Sequence, residues 1–249
     1  MSVRIYKCGG PALEDPGLIG PLAEEVKRAG GSVLLVHGGG RHIERLLKAL
    51  AIESQFVGGR RVTSPEAMEV VEMVLSGVVN KELAAGLTRS GVPAVGLSGR
   101  DANTIRVTLK PDLGRVGTPD RVETALIRLL WDQGLVPVMS PVSNGPAGEA
   151  VNVNADEAAL GIALAVHAAS LVYLSDVDGV RIGDKTVETL TAAEAARSID
   201  DGTIAGGMAL KVQVALEAAR AGIGEVVIAG KARLEGRFPG TRIVTGGKS

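Results

Sequence analysis

Cys8 is the sole cysteine of this 249-residue chain, which excludes an internal disulfide and a cysteine-based zinc site. Aromatic residues are scarce at 2%, so Val, Leu, Ile and Ala must build the core. No uninterrupted apolar run reaches the roughly 18 residues of a membrane-crossing helix. The opening Met-Ser-Val-Arg-Ile-Tyr-Lys has no signal-peptide apolar stretch, so a soluble cytoplasmic protein is expected. Neither sign of charge dominates: 27 Lys plus Arg against 28 Asp plus Glu leave a formal net charge of -1. That balance argues against general nucleic-acid binding and still allows a small anion held by a few local cations. Two common nucleotide signatures, G-x-x-x-x-G-K-[ST] and G-x-G-x-x-G, are both missing, so any nucleotide must be held differently.

What the chain does have is ample core material, with 45% hydrophobic and 22% charged residues. Short apolar runs at Val3–Tyr6, Ser32–Val36, Ala94–Leu97, Leu135–Met139, Leu171–Leu174 and Val226–Ile228 read as buried strands. Between them, Leu18–Arg28, His42–Leu50, Pro65–Arg89, Glu123–Asp132, Glu157–Val166 and Met208–Ala221 read as helices. Ser64 before Pro65 and Glu66 is a helix-start pattern, and Gly91, Gly134 and Gly222 fall where helices should stop. The alternation predicts an α/β protein with a mainly parallel open sheet. Phe56–Val62 and Thr104–Gly117 read as added β-hairpins. The loop from Pro141 to Gly148 is a candidate join between an N-terminal lobe of about residues 1–145 and a C-terminal lobe of about 146–249.

In an open parallel sheet, ligands bind beyond the carboxyl ends of the strands. Those ends carry Lys7-Cys8-Gly9-Gly10, His37-Gly38-Gly39-Gly40, Asn152-Val153-Asn154-Ala155-Asp156 and Ser175-Asp176-Val177-Asp178-Gly179. A glycine run leading into a helix can turn its N–H groups on an anion, or can simply make a tight turn. Lys7 closes an apolar strand, where a charge is costly unless it meets an anion. Lys211, about one turn into a helix opened by Gly206 and Gly207, either reaches back to a phosphate or is a surface charge. Asp156 is expected near a helix start for capping alone, and Asn152 and Asn154 also suit turns. Asp176 and Asp178 could form an Asx turn or contact magnesium, while His37, His42 and His167 lack zinc-ligand spacing.

Taken in order, these strand-end motifs resemble the amino-acid kinase family, and within it the members that phosphorylate N-acetylglutamate. Gly59-Arg60-Arg61-Val62-Thr63, Asn80-Lys81, Val95–Gly99 and Gly207-Met208 with Lys211 complete the set, which spans nearly the whole chain. The resemblance implies a three-layer α/β/α sandwich, usually a homodimer, with acceptor in the N-terminal lobe and ATP in the C-terminal lobe. It implies that Lys7 and Lys211 neutralise the transferring phosphoryl group and that Asp156 orients them. Gly9, Gly10, Gly38 and Gly39 would give backbone donors around the phosphates, Ser175, Asp176 and Gly207 would line the nucleotide, and Arg61 and Asn152 would bind the acceptor. Arg61 would take its α-carboxylate. The implied reaction is ATP-dependent phosphorylation of the side-chain carboxylate of N-acetyl-L-glutamate in arginine biosynthesis, with Mg2+ held mainly by the nucleotide.

A carboxylate acceptor is already ionised at neutral pH, so the absence of an obvious base in this set favours an acyl phosphate product. Cys8 stands where the family more often has Tyr, Leu or another apolar residue, and reads either as a passive small hydrophobe or as a reactive strand-end thiol. Lys7 lies near the start, leaving no room for the N-terminal helix of arginine-inhibited hexamers, so an arginine-insensitive dimer is expected. Two other functions stand beside this one: a kinase for a carrier-protein-bound aminoadipyl or glutamyl group, and a non-catalytic ligand sensor.

Overall fold

Ile5 packs on one side of a central sheet, while its neighbours Tyr6 and Cys8 pack on the other. The computed structural model that shows this describes residues 2–246; Met1 and residues 247–249 lie outside the described residues. The strands are β1 (Val3–Cys8), β2 (Ser32–His37), β3 (Gln55–Val57), β4 (Arg60–Val62), β5 (Ala94–Ser98), β6 (Ile105–Leu109), β7 (Val116–Val122), β8 (Val136–Ser140), β9 (Ser143–Asn144), β10 (Ala150–Val153), β11 (Ser170–Leu174), β12 (Arg181–Ile182), β13 (Lys185–Thr186), β14 (Thr189–Thr191), β15 (Glu225–Ala229) and β16 (Thr241–Val244). The helices are α1 (Gly10–Leu13), α2 (Ile19–Ala29), α3 (Gly40–Ala49), α4 (Pro65–Glu72), α5 (Asn80–Arg89), α6 (Ala125–Asp132), α7 (Ala155–Ala165), α8 (Ala192–Asp200), α9 (Gly206–Arg220) and α10 (Lys231–Leu234).

The main sheet runs β14-β16-β15-β11-β1-β2-β8-β5, and every neighbouring pair in it is parallel except β15 with β16. Its central strands are buried on both faces, which is why their sequences are continuously apolar rather than alternating. Ile5, Leu34, Leu171 and Tyr173 meet α7 and α9 on one face; Tyr6, Leu35, Val172 and Leu174 meet α2 and α5 on the other. The result is helix, sheet and helix in three layers.

Helix ends follow their local chemistry. Ser64 accepts from the Ala67 N–H at 3.1 Å and caps α4. Past α5, Gly91 takes a left-handed φ of 82°, letting Val92 N–H reach Leu87 O at 3.0 Å and close the helix. His167 and Ala51 occupy the corresponding place after α7 and α3, with φ of 54° and 56°. The predicted helix Pro65–Arg89 is continuous, with a widened π-helical stretch at Met73–Val79 between α4 and α5. Both predicted hairpins form, as β3–β4 and β6–β7, the second extending to Val122. The Pro141–Gly148 segment carries β9, bonded to β6 and β10 in a small closed sheet beside the main one. No helix among the described residues is long and apolar enough to cross a membrane.

Candidate active site

Strand parity decides where Lys7 goes. It shares a face with Ile5 and pairs in register with Tyr173, on the side covered by α7 and α9. There its ammonium lies 2.8 Å from Asp156 Oδ1, in the first turn of α7. Lys211, in the second turn of α9, donates to Asp156 Oδ1 at 3.0 Å and Oδ2 at 3.1 Å. All three are 6–7% exposed. Asn154 caps α7 by accepting from the Asp156 and Glu157 N–H groups, so the Asp156 carboxylate is released from capping and faces the lysines.

One buried carboxylate therefore serves two buried ammonium groups, leaving local positive charge that suits an anion. Burial pushes the Asp156 carboxyl up, but Lys7 and Lys211 outweigh it and hold it at about 2. Burial, aided by the repulsion of Lys7, brings Lys211 down to about 8 against the pull of Asp156. The Tyr173 ring lies under Lys211, with its centroid 5.7 Å from Nζ. Burial raises the Tyr173 phenol well above its ordinary value, and its hydroxyl has no hydrogen-bond partner.

Beside Lys7 opens a cavity of about 480 Å³. Gly10, Gly38, Gly39, Arg61 and Asn152 line it; Gly9, Asp156, Ser175, Asp176, Gly207 and Lys211 lie outside its lining. At Gly39 a methyl would lie 2.6 Å from Leu75 Cδ2, so that leucine would have to shift to admit one. A methyl at Gly10 would lie 3.0 Å from the Gly40 nitrogen and 3.4 Å from that of Gly39, so these backbone nitrogens converge on one small space. The four glycines are not equivalent as donors. Gly9 N–H is engaged by Leu174 O at 2.8 Å and Gly38 N–H by Cys8 O at 2.9 Å, because both continue the sheet ladder. The expectation of phosphate donors at Gly9 and Gly38 is corrected accordingly: they permit close approach, while Gly10, Gly39 and Gly40 sit at helix starts, where N–H groups lack helical partners.

Arg61 comes from β4 and is 6% exposed. Glu44 Oε2 accepts from it at 2.6 Å, Ser54 Oγ also accepts, Gly40 O accepts at 3.3 Å, and Phe56 lies 4.5 Å beneath the guanidinium. Asn152 Nδ2 donates to Thr63 Oγ1 at 3.0 Å, and Thr63 donates to Arg61 O. This leaves Asn152 Oδ1 to accept from a ligand N–H. Sequence reasoning misses Glu44, Ser54 and Phe56, since no local pattern ties them to Arg61, and it places Thr63 in a motif without its bond to the distant Asn152. It also misses the role of Asn80, whose Nδ2 donates to Val138 O at 2.8 Å and His37 Nε2 at 3.1 Å. With His37 Nδ1 donating to Gly38 O at 2.8 Å and burial lowering the imidazole to about 4, His37 is a neutral brace for the glycine loop. Cys8 is fully buried and burial pushes its thiol up to about 12, which makes it a packing residue rather than a nucleophile.

Among the described residues, no three His, Cys, Asp or Glu side chains gather closely enough to hold a metal ion. Asp176 is exposed beside Ser175, which donates to it at 3.1 Å, and Gly207 is the second residue of α9, where an added methyl would meet open space.

This geometry has close relatives. A Rubrobacter xylanophilus protein named acetylglutamate kinase is 46% identical over 98% of this chain and 96% of its own. A Bacillus velezensis protein of the same name is 39% identical over 96% and 95%. The structure of smu.665 from Streptococcus mutans UA159 superposes with a TM-score of 0.87 at 25% identity, covering 98% of this chain and 99% of that one. N-acetylglutamate synthase from Neisseria gonorrhoeae, complexed with coenzyme A and N-acetyl-glutamate, gives 0.84 at 26% identity, over 99% of this chain and 60% of that one. The profile of the Amino acid kinase family matches residues 2–230, and the chain belongs to that family.

Proposed function

We propose that this enzyme transfers the γ-phosphoryl group of ATP to the side-chain carboxylate of N-acetyl-L-glutamate, a step of arginine biosynthesis. The names of its relatives support that reaction, and one feature of the site carries it: two ammonium groups on one carboxylate, beside a cavity without a free base. Glu44 is the only acid lining that cavity among the described residues, and its hydrogen bonds to Arg61 and Ser54 hold its carboxyl below the ordinary range. His37 has both ring nitrogens engaged, one by Gly38 O and one by Asn80, so neither is free to take a proton. A hydroxyl acceptor would need a base; a carboxylate does not.

In this reading Arg61 takes the acceptor's α-carboxylate and Asn152 Oδ1 accepts from its amide N–H. An acylated amine suits that neutral acceptor better than a free ammonium would. A side-chain carboxylate oxygen attacks the γ-phosphorus, the bond to the β–γ bridging oxygen breaks, and ADP departs with no proton transferred. Lys7 and Lys211 offset charge on the transferred group, Asp156 fixes their positions, and the Gly10, Gly39 and Gly40 N–H groups contact phosphate oxygens. Gly9, Ser175, Asp176 and Gly207 border the nucleotide. Among the described residues no cluster of three ligands gathers for Mg2+, and in this reading the ion would be carried by the nucleotide phosphates.

We place the boundary between acceptor and nucleotide lobes near residue 145 and the protein in the cytoplasm. We also propose a homodimer: Met73 and Val78 on the long helix are 55% and 49% exposed, and burial against a second copy would remove them from water. Sedimentation equilibrium tests the dimer. Turnover of free N-acetylglutamate against carrier-bound aminoadipyl or glutamyl groups tests the acceptor: free acceptor should be used at the higher kcat/KM, and preference for the carrier-bound group overturns the assignment.

A further inference from the structure

The β3–β4 hairpin makes a two-residue turn through Gly58 and Gly59, with φ of 55° and 77°. Among the described residues its two strands pair with no other, although Thr63, next after β4, exchanges backbone bonds with Leu113 and Arg115, and Gln55, Phe56 and Val57 are exposed. A lone two-stranded ribbon is marginal in water, so beyond that anchor at its foot its position depends on what its side chains hold. Successive residues of β4 point to opposite faces. Arg61 turns to Glu44 and Ser54 at the acceptor cavity. Arg60 also lines that cavity but forks onto Glu157 instead, from Nε to Oε2 at 3.1 Å and from Nη2 to Oε1 at 2.5 Å. These side chains are 22% and 13% exposed, so the pair is largely shielded from water. The turn itself presses on α9, where a methyl at Gly59 would lie 3.0 Å from Leu210 Cδ2.

Glu157 directly follows Asp156, and Leu210 directly precedes Lys211. The hairpin that carries Arg61 thus touches the immediate neighbours of Asp156 and Lys211, two of the three groups in the lysine–carboxylate cluster. We propose that Arg60 is a positioning residue that couples the two halves of the site: its tether to Glu157 makes acceptor binding at Arg61 hold the Asp156–Lys211 cluster in place for the nucleotide. The tether rests on the acceptor reading given above. A planar, bidentate guanidinium fits this role better than lysine, which offers a point charge without fixed direction.

Coupling of this kind is reciprocal and measurable without turnover. The affinity of a non-hydrolysable ATP analogue is titrated by calorimetry with and without N-acetylglutamate, in wild type, Arg60→Leu, Glu157→Gln, the double variant and Arg60→Lys. The acceptor should tighten analogue binding about fivefold or more in wild type. That gain should fall to about onefold in either single variant and in the double, with partial recovery in Arg60→Lys, while the affinity for analogue alone stays unchanged. An acceptor effect retained in both Arg60→Leu and Glu157→Gln, or absent from wild type, overturns the proposal. If Arg60→Leu does not fold, Glu157→Gln and Arg60→Lys carry the same comparison. Phosphorylation of N-acetylglutamate by wild type is assayed first: its absence rejects the acceptor reading, whereas its presence with unaltered coupling rejects only the tether.

Discussion

Lys211 donates to both carboxylate oxygens of Asp156, at 3.0 and 3.1 Å, across a contact closed to water. Lys7 shares the same carboxylate, so the three groups behave as one cationic cluster. This cluster and the cavity beside it predict different kinetic signatures for different residues.

Lys211→Ala should lower kcat by about 100-fold or more, because its ammonium acts on charge that develops in transfer. Arg61→Ala should instead raise the acceptor KM by roughly 10- to 100-fold, the loss expected for a charge-assisted hydrogen bond. Steady-state kinetics with each substrate varied separates these effects. The opposite pattern would mean that the two roles are exchanged.

Lys211 should give the alkaline limb of the pH–rate profile. Its ammonium is brought down to about 8, chiefly by burial. Since the protonated form is the useful one, kcat/KM should fall as pH rises through about 8, and the limb in kcat should lie higher because bound phosphate favours the charged lysine. The unfolded chain keeps that proton to higher pH, so the cost of burying the lysine charge eases as pH rises above about 8. Asp156 acts at the other end. Its folded value of about 2 lies below the ordinary 3.8, so its stabilisation is complete above that and lost as pH falls toward 2. Thermal unfolding across pH should show that acid loss diminished in Asp156→Asn.

Gly10→Ala should weaken nucleotide binding more than it raises the acceptor KM. Its methyl would lie 3.0 Å from the Gly40 nitrogen, and backbone cannot yield as a side-chain tip can. A stability loss of about 1–3 kcal/mol should accompany the effect. Nucleotide titration with denaturant unfolding checks both.

Much of this architecture is legible in the sequence, for a definite reason. Strands buried on both faces leave unbroken runs such as Ser32–Val36, and helix ends leave signals such as Ser64-Pro65 and Gly91. Lys7 is conspicuous because a lysine ending a buried strand needs a partner. The identity of that partner is not local: Asp156 lies 149 positions away in the chain (156 minus 7) and meets Lys7 only through the sheet topology. The same holds for Glu44 beneath Arg61, Thr63 beneath Asn152 and Glu157 beneath Arg60. Which glycine N–H groups remain available also depends on sheet pairing, so Gly9 and Gly38 cannot be told from Gly10 and Gly39 by composition.

Two helix ends depart from the glycine pattern and can be improved. Ala51 and His167 sit at left-handed φ of 56° and 54°, where a Cβ is crowded. Ala51→Gly and His167→Gly should each stabilise the fold by about 0.5–1 kcal/mol, with activity unchanged. Urea unfolding midpoints check this, and a loss of stability would show that contacts of the replaced side chain outweigh the backbone strain.

The central claim is transfer of a phosphoryl group to a carboxylate by paired lysines, and trapping with hydroxylamine tests it most directly. With ATP, Mg2+ and N-acetyl-L-glutamate, the wild-type enzyme should form acyl hydroxamate in step with ADP, while Lys211→Ala should form almost none. ADP release without hydroxamate, or full hydroxamate formation by Lys211→Ala, would contradict the account.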